Sequence, residues 1–527
     1  MLALGTLTPL TILVHGYHPF TEDGGLYAAG IAFKLDPALF PHTSAFVRAP
    51  MQYSLFASVM AACARATHLP VEWLLLLANL LTIFFTLFAA RQILRRCFAG
   101  DAVQLGGLAL LAAWWTLPIA GTSLMLMDPY VTARSFSTPL SLLAIAFALE
   151  SWTQASSTSR RPWFRHPALW CGLCLCLAAG MHLLMAAYAV AFVAVLRACL
   201  WPGKTHRLAA LGLLGAAAIA GAACLQAFAP PESAALQAAA ITRYYWFLSQ
   251  WHWYEIAGLL APLAIFAWLA WWSWPGRRRK RMPAESGSGF SALNALCTAA
   301  LTTGFFASAI ALLFAHEQAS NHAVARLQPL RAYLLIYALM AALLGAMATK
   351  AALRASRRWP DRWLSWGFRA LPIVLCAGVA ACMALAQREM FDSSAHLELP
   401  WSAAQNPNPW VQAFLWIRGQ TPREALFAVD SRYISATAED AHTFRAIALR
   451  DVLPDYSKDG GEAAITRSLA DSWHAGSEAQ RGLNTLNDKE RAQRLAPFGV
   501  DWVILATATQ SGLSCPYNNV VVKVCRL

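Results

Sequence analysis

Apolar residues run through most of this chain in long blocks, not in alternation. The blocks lie near residues 1–14, 71–92, 102–120, 137–153, 168–181, 183–200, 205–229, 254–274, 290–315, 330–350 and 369–387. Stretches close to 20 apolar residues match the hydrocarbon thickness of a bilayer. They predict a polytopic α-helical membrane protein with about eleven transmembrane helices over residues 1–387. The shorter run 52–66, closed by His68-Leu69-Pro70, reads as a juxtamembrane or re-entrant helix on the outer face. Two runs between 168 and 200 are joined only at Gly180-Met181-His182, which places a turn at membrane depth. Irregular backbone is tolerated there only when buried in protein or lining a wet cavity. The segment MDPYVTARSFSTP (127–139) mixes Pro and charge in the same way, and both features predict a polar cavity open to the outer side. The first block, Met1 to Val14, is short and carries no basic n-region or cleavage site. It reads as a first transmembrane helix whose cytoplasmic end precedes this start codon, not as a secretory signal.

From about residue 388 the pattern changes. A helix is predicted at WVQAFLWIRGQ, then strands at ALFAV, DWVILA and NVVVKVCRL, with helical polar sequence between them. Strands alternating with helices predict a small α/β domain over 388–527.

Composition strengthens the membrane reading: 58% of the residues are hydrophobic and 13% charged, against roughly 25% charged in ordinary soluble domains. Trp114, Trp115, Trp271, Trp272 and Trp274 fall at block ends, where interfacial aromatic belts form. The net charge of +13 does not point to nucleic acid, because the basic clusters sit between apolar blocks. The stretches 91–96, 159–165, 203–207, 276–281 and 350–358 hold seventeen Lys and Arg, whereas 15–51, 121–136, 230–253 and 316–331 hold six. The positive-inside rule then puts the first set in the cytoplasm. The chain is expected in the cytoplasmic (inner) membrane, with its N-terminus inside and its C-terminal domain outside. Cys171, Cys174 and Cys176 lie in an apolar block and act as small hydrophobes. Cys515 and Cys525, outside the membrane, form either a disulfide or two free thiols.

The polar groups that survive this sorting all fall on the outer side. Glu22 and Asp23, followed by Gly24 and Gly25, open the long outer loop 15–51; Arg48 stands before Pro50 near its end. Asp128 and Arg134 lie in the second outer segment, and His182 marks the mid-membrane turn. Arg243, His252 and Glu255 occupy an aromatic loop, while His316, Glu317, His322, Arg326 and Arg331 cluster before the block at 330. Each has a bland alternative: a solvated loop, a helix cap, an ion pair, or a satisfied histidine. Their convergence favours function, since ionisable groups at membrane depth are expensive. A carboxylate near arginines suits proton removal from a hydroxyl while a phosphate departs, and guanidinium matches phosphate geometry.

The order of features resembles the GT-C superfamily of membrane glycosyltransferases. It comprises a first span, a long outer loop with Glu22-Asp23 near its start, and an amphipathic helix after RAPMQY. A span ending in ARQILRRCF, an outer loop with Asp128-Pro129, paired short spans and an outer α/β domain follow. The resemblance implies transfer of a sugar from a polyprenyl-phosphate-linked donor to a glycan, lipid or protein acceptor on the outer face. It implies Asp23 or Glu22 as general base or metal ligand, with Asp23 preferred because it adjoins the glycines, and Asp128 in support. Arg134, Arg326 and Arg331 would meet the phosphate, His182 would line the donor cavity, and His322 and Arg243 would belong to the same substrate-binding set. A divalent metal, Mg or Mn, would be held by Asp23 and Asp128 if by any residues. The chain departs from the pattern in its adjacent Glu-Asp and its lack of a WWDxG-like signature. Readings from other classes are a lipid or glycan transporter or flippase, and a membrane assembly protein whose outer domain binds a partner.

Overall fold

The computed structural model describes residues 1–153, 166–273, 287–358, 362–436 and 442–527. The basic clusters at 159–165 and 276–281, and Trp274, lie outside the described residues.

The chain is mostly helical, with one small sheet near the C-terminus. Among the described residues, six helices are long and apolar enough to cross a membrane: Val71–Cys97, Lys204–Phe228, Trp253–Trp272, Ser291–Phe314, Ala323–Arg358 and Arg362–Met390. The expected count of about eleven is therefore met by six. Leu2–His15, Asp101–Ala113, Pro167–Met181 and Leu183–Cys199 are apolar but have at most 17 residues, or about 26 Å at 1.5 Å per residue. Phe56–Thr67, the predicted juxtamembrane helix, has 12 residues and reaches only about 18 Å. It ends where His68 turns into the left-handed region at φ 57°.

Burial separates the helices by role. Tyr333–Arg358 runs through the centre, and every residue from Tyr333 to Leu343 is buried. Arg362–Met390 is its opposite: Trp363, Trp366, Ile373 and Val374 are exposed along it. An apolar helix that buries almost nothing in its own chain is the lipid-facing kind. The pair Pro167–Met181 and Leu183–Cys199 breaks at His182, whose backbone is extended at φ −149°. The segment before Phe56 satisfies the carbonyls freed by this break. Leu55 N donates to Gly180 O at 2.8 Å and Ser54 Oγ donates to Met181 O at 2.6 Å.

The sheet has the order β2-β1-β3-β5-β4, with strands β1 Leu426–Val429, β2 Asp451–Val452, β3 Trp502–Ala506, β4 Tyr517–Asn518 and β5 Val522–Arg526. Strands β2, β1 and β3 are parallel, while β5 pairs antiparallel with both β3 and β4. The three predicted strands form, and the two-residue β2 and β4 are too short to have left a pattern. Cys515 and Cys525 are disulfide-bonded.

This C-terminal part is docked tightly on the first loop. Thr443 N and Oγ1 both donate to Phe20 O at 3.0 Å, and Thr21 bridges to His442. Arg445 donates to both Asp459 oxygens at 2.8 and 2.9 Å and to Thr43 Oγ1 at 3.2 Å. Asp451 accepts from His42 N at 2.5 Å.

Candidate functional site

The stretch EDGG, expected in a flexible loop, is the first turn of the helix Glu22–Leu35. Two carboxylates there are favoured by the unpaired N–H groups and the helix dipole. The two glycines serve close packing, not flexibility. A Cβ on Gly24 would stand 2.8 Å from Pro19 O, and one on Gly25 would lie 1.5 Å from Thr443 Oγ1. Glu22 itself has φ 49°, in the left-handed region that non-glycine residues avoid.

Above this turn lies a cavity of about 770 Å³. Of the expected site residues, Glu22, Asp23, Arg134, His182, Arg243, Arg326 and Arg331 line it. Asp128 and His322 do not. Asp128 is buried behind the wall, ion-paired to Arg134. His322 is buried with Glu232: its ring Nδ1 lies 2.7 Å from Glu232 Oε2, and its backbone N donates to Oε1 at 2.7 Å. A donor or substrate therefore meets neither side chain. Hydrogen bonds from His322 and the charge of Arg326 overcome the burial of Glu232 and hold its carboxyl down at about 2.

The cavity arginines are not equivalent. Arg134 is committed to Asp128. Arg243 gives Nη1 to Ser457 O at 2.7 Å, Nη2 to Tyr456 O at 3.2 Å and Nε to Thr242 Oγ1 at 2.9 Å, which clamps the C-terminal part. Arg326 gives Nε to Ala464 O at 2.7 Å and also pairs with Glu232. Arg331 differs. It pairs with no carboxylate among the described residues, and its buried Nε has no hydrogen-bond partner. Its guanidinium lies over Tyr245, 6.0 Å from the ring centroid. Three residues earlier Gln328, 6% exposed and with φ 49°, also lines the cavity, and its Oε1 has no partner. Buried polar groups left unpaired and backbone held in a sparsely populated region both point to a ligand-binding wall.

Sequence reasoning did not single out three further residues: Lys458 and Glu462 on the acidic side, and Glu232 behind the wall. Lys458, in the helix Lys458–Ile465, donates Nζ to Asp23 Oδ1 at 3.0 Å and contacts Glu22 as well. Burial works against the charge on Asp23, but the Lys458 ammonium and Arg134 hold its carboxyl well below the usual range. Burial works against the charge on Lys458 in turn, but the carboxylates of Asp23 and Glu22 raise it well above the usual lysine range. Glu462, one turn along from Lys458, lines the cavity, and its carboxylate makes no hydrogen bond or ion pair among the described residues. Burial, with Asp23 and Asp459 nearby, pushes its carboxyl up to about 8. Glu232, the third, works behind the wall. In sequence, Lys458 and Glu462 stand just before the predicted polar helical segment AAITRSLADSWHAG, and nothing local marks them as site residues.

The expected metal ligands do not fit a metal. Asp128 is tied to Arg134 outside the cavity, and the slot between Glu22 and Asp23 is held by Lys458. No group of three or more His, Cys, Asp or Glu among the described residues is arranged to hold an ion.

No family model matches the sequence, and no curated protein matches it. Among solved structures the chain is similar to archaeal oligosaccharyltransferase AglB from Archaeoglobus fulgidus, in complex with an inhibitory peptide and a dolichol-phosphate. The identity is 11% and the TM-score 0.46, over 96% of this chain and 69% of that one. It is also similar to the Archaeoglobus fulgidus oligosaccharyltransferase in complex with Zn and sulfate. There the identity is 12% and the TM-score 0.46, over 96% and 68% of the two chains. Likeness at this level leaves the function to be argued from the site itself.

Proposed function

We propose that this chain is a GT-C-like membrane glycosyltransferase. It takes a sugar from a polyprenyl-phosphate-linked donor and passes it to a hydroxyl-bearing acceptor, glycan, lipid or protein, on the outer face of the membrane. The observation that carries this reading is one cavity whose lining combines two chemically distinct sets of groups. One set is Arg331 and Gln328, with unpaired buried polar atoms, together with the apolar side chains of Leu183, Leu184 and Leu327. The other, the acidic side, is Glu22, Asp23 and Glu462 with Lys458. A phosphate with an apolar tail fits the first set, since guanidinium gives charge-assisted, paired hydrogen bonds to phosphate oxygens. Tyr27, Tyr53, Tyr244 and Tyr245, also in the lining, offer apolar faces and hydroxyls to a sugar.

In this reading the acceptor oxygen attacks the anomeric carbon as its bond to the donor phosphate breaks, and the electron pair leaves with the phosphate. Arg331 stabilises that growing negative charge, with Arg326 at its side. The acceptor proton needs a carboxylate with unused capacity and a pKa near the working pH. Asp23, the sequence-based choice, is too well stabilised as an anion by Lys458 to be a strong base. Glu462 meets both conditions, so we assign it the proton and leave Glu22 and Asp23 ion-paired with Lys458.

The test is turnover by the full chain in lipid nanodiscs with a panel of polyprenyl-phosphate-linked sugars, read as release of the unloaded lipid phosphate. Consumption of at least one donor, lost in Glu462→Gln, is expected. If no donor is consumed while the chain moves intact lipid-linked glycan across vesicle bilayers, the transferase reading fails and the transporter reading replaces it.

A further inference from the structure

The acidic pair that lines the cavity already has a cation. Glu22 and Asp23 are adjacent at the start of one helix, and both carboxylates turn to the same ammonium, that of Lys458. Lys458 comes from a part of the chain 435 residues later, and its own anchorage is elaborate. Its backbone N donates to Asp455 Oδ1 at 2.6 Å, and Asp459, the next residue, is held by Arg445 at 2.8 Å. The neighbouring carbonyls of Tyr456 and Ser457 are clamped by Arg243. Six charged residues from three regions, Glu22, Asp23, Arg243, Arg445, Asp455 and Asp459, thus fix where one ammonium sits. On the other side, Glu22 keeps φ 49° to bring its carboxylate to the same point.

A lysine in that slot and a divalent ion in that slot exclude each other. Both would occupy the point shared by the two carboxylates, and like charges a few ångströms apart repel strongly in a partly buried site. A divalent ion also requires six or more oxygen ligands, or several retained waters. The oxygens at hand are those of Glu22, Asp23 and, a turn away, Glu462.

We propose that Lys458 is the resident cation of this acidic pair, and that the site works without a divalent metal because the C-terminal part of the chain supplies the positive charge. Lys458 is here a positioning residue. It fixes both carboxylates, neutralises one of their two charges, and makes assembly of the cavity depend on docking of the C-terminal part. The inference deepens the transferase reading at the same site. Its primary test needs no sugar substrate, so failure of one is distinguishable from failure of the other.

The test is Mn(II) binding to the full chain in nanodiscs, followed by electron paramagnetic resonance. The wild type is expected to bind no Mn(II) that depends on Asp23. Lys458→Met keeps the length of the side chain but frees the slot; it should bind one Mn(II) at least tenfold more tightly than the wild type, and Lys458→Met with Asp23→Asn should lose it again. Lys458→Arg keeps the charge, serves as the folded control, and should bind none. If sugar transfer is established, chelation by EDTA should leave the wild-type rate unchanged. Stoichiometric Mn(II) binding by the wild type that disappears in Asp23→Asn would overturn the proposal, as would a Lys458→Met variant, folded by thermal unfolding, that binds no more Mn(II) than the wild type.

Discussion

Replacing Arg331 and Arg134 in turn by Gln separates two arginines that face one cavity and do different things. Arg134 is buried, 5% exposed, against Asp128 at 6%, and the two are ion-paired. Arg134→Gln leaves a buried carboxylate without its charge partner, a loss of about 3–5 kcal/mol in stability. Among the described residues Arg331 has no carboxylate to abandon, and its buried Nε has no hydrogen-bond partner. Arg331→Gln should therefore change stability by no more than about 1 kcal/mol. It should instead weaken phosphate binding. Hydrogen bonds to charged groups contribute about 1.5–3 kcal/mol, so the affinity for a polyprenyl phosphate should fall about 10- to 150-fold. Thermal unfolding in detergent gives the first quantity, and quenching of tryptophan fluorescence by undecaprenyl phosphate in nanodiscs gives the second. If Arg331→Gln binds that lipid within twofold of the wild type, Arg331 is not the phosphate ligand and the division of the cavity drawn above is wrong.

The remaining predictions concern the acidic side and its supports. With Glu462 held at about 8, transfer should rise with pH towards that value, and Glu462→Gln should remove both the activity and the rise. The sign for stability is opposite to that of a salt-bridged acid. The folded chain binds a proton at Glu462 that the unfolded chain has lost, so stability falls as pH rises from about 4.5 to about 8; denaturant unfolding of Glu462→Gln should show a flatter profile over that window. Glu232, held down at about 2 from 4.5, adds stability that is present above 4.5 and lost as pH falls through that interval. Glu232→Ala should cost about 3–5 kcal/mol by leaving Arg326 without its buried partner, measurable by the same unfolding. Gly25→Ala drives a Cβ into Thr443 Oγ1 and against Phe20 O. It should cost about 1–3 kcal/mol and expose the C-terminal part to limited proteolysis; wild-type resistance would show that this contact does not hold it.

The membrane character, the helix break at His182 and the three strands of β1, β3 and β5 were determined by the sequence alone, because each has a local cause. Hydrocarbon demands uninterrupted apolar blocks, a break demands a gap in them, and a strand demands a short apolar run. Sequence order also drew attention to Glu22, Asp23, His182 and Arg331, since charge among apolar blocks stands out wherever it occurs. It could not say what each charge faces. Arg134, Arg243 and Arg331 look alike in the chain. The Asp128–Arg134 pair was one sequence-based alternative, and the fold selects it; only the fold gives Arg243 to the carbonyls of Tyr456 and Ser457 and leaves Arg331 without a carboxylate among the described residues. Lys458 and Glu462 show the limit most plainly. They belong to a short polar helix, and they become site residues because docking the C-terminal part carries Lys458 435 residues back along the chain to Asp23 and brings Glu462 into the same cavity lining. Periodicity reports which face of an element is apolar; which polar groups share a buried space is decided by long-range packing, and it is that packing that turned EDGG from a loop into the floor of a cavity.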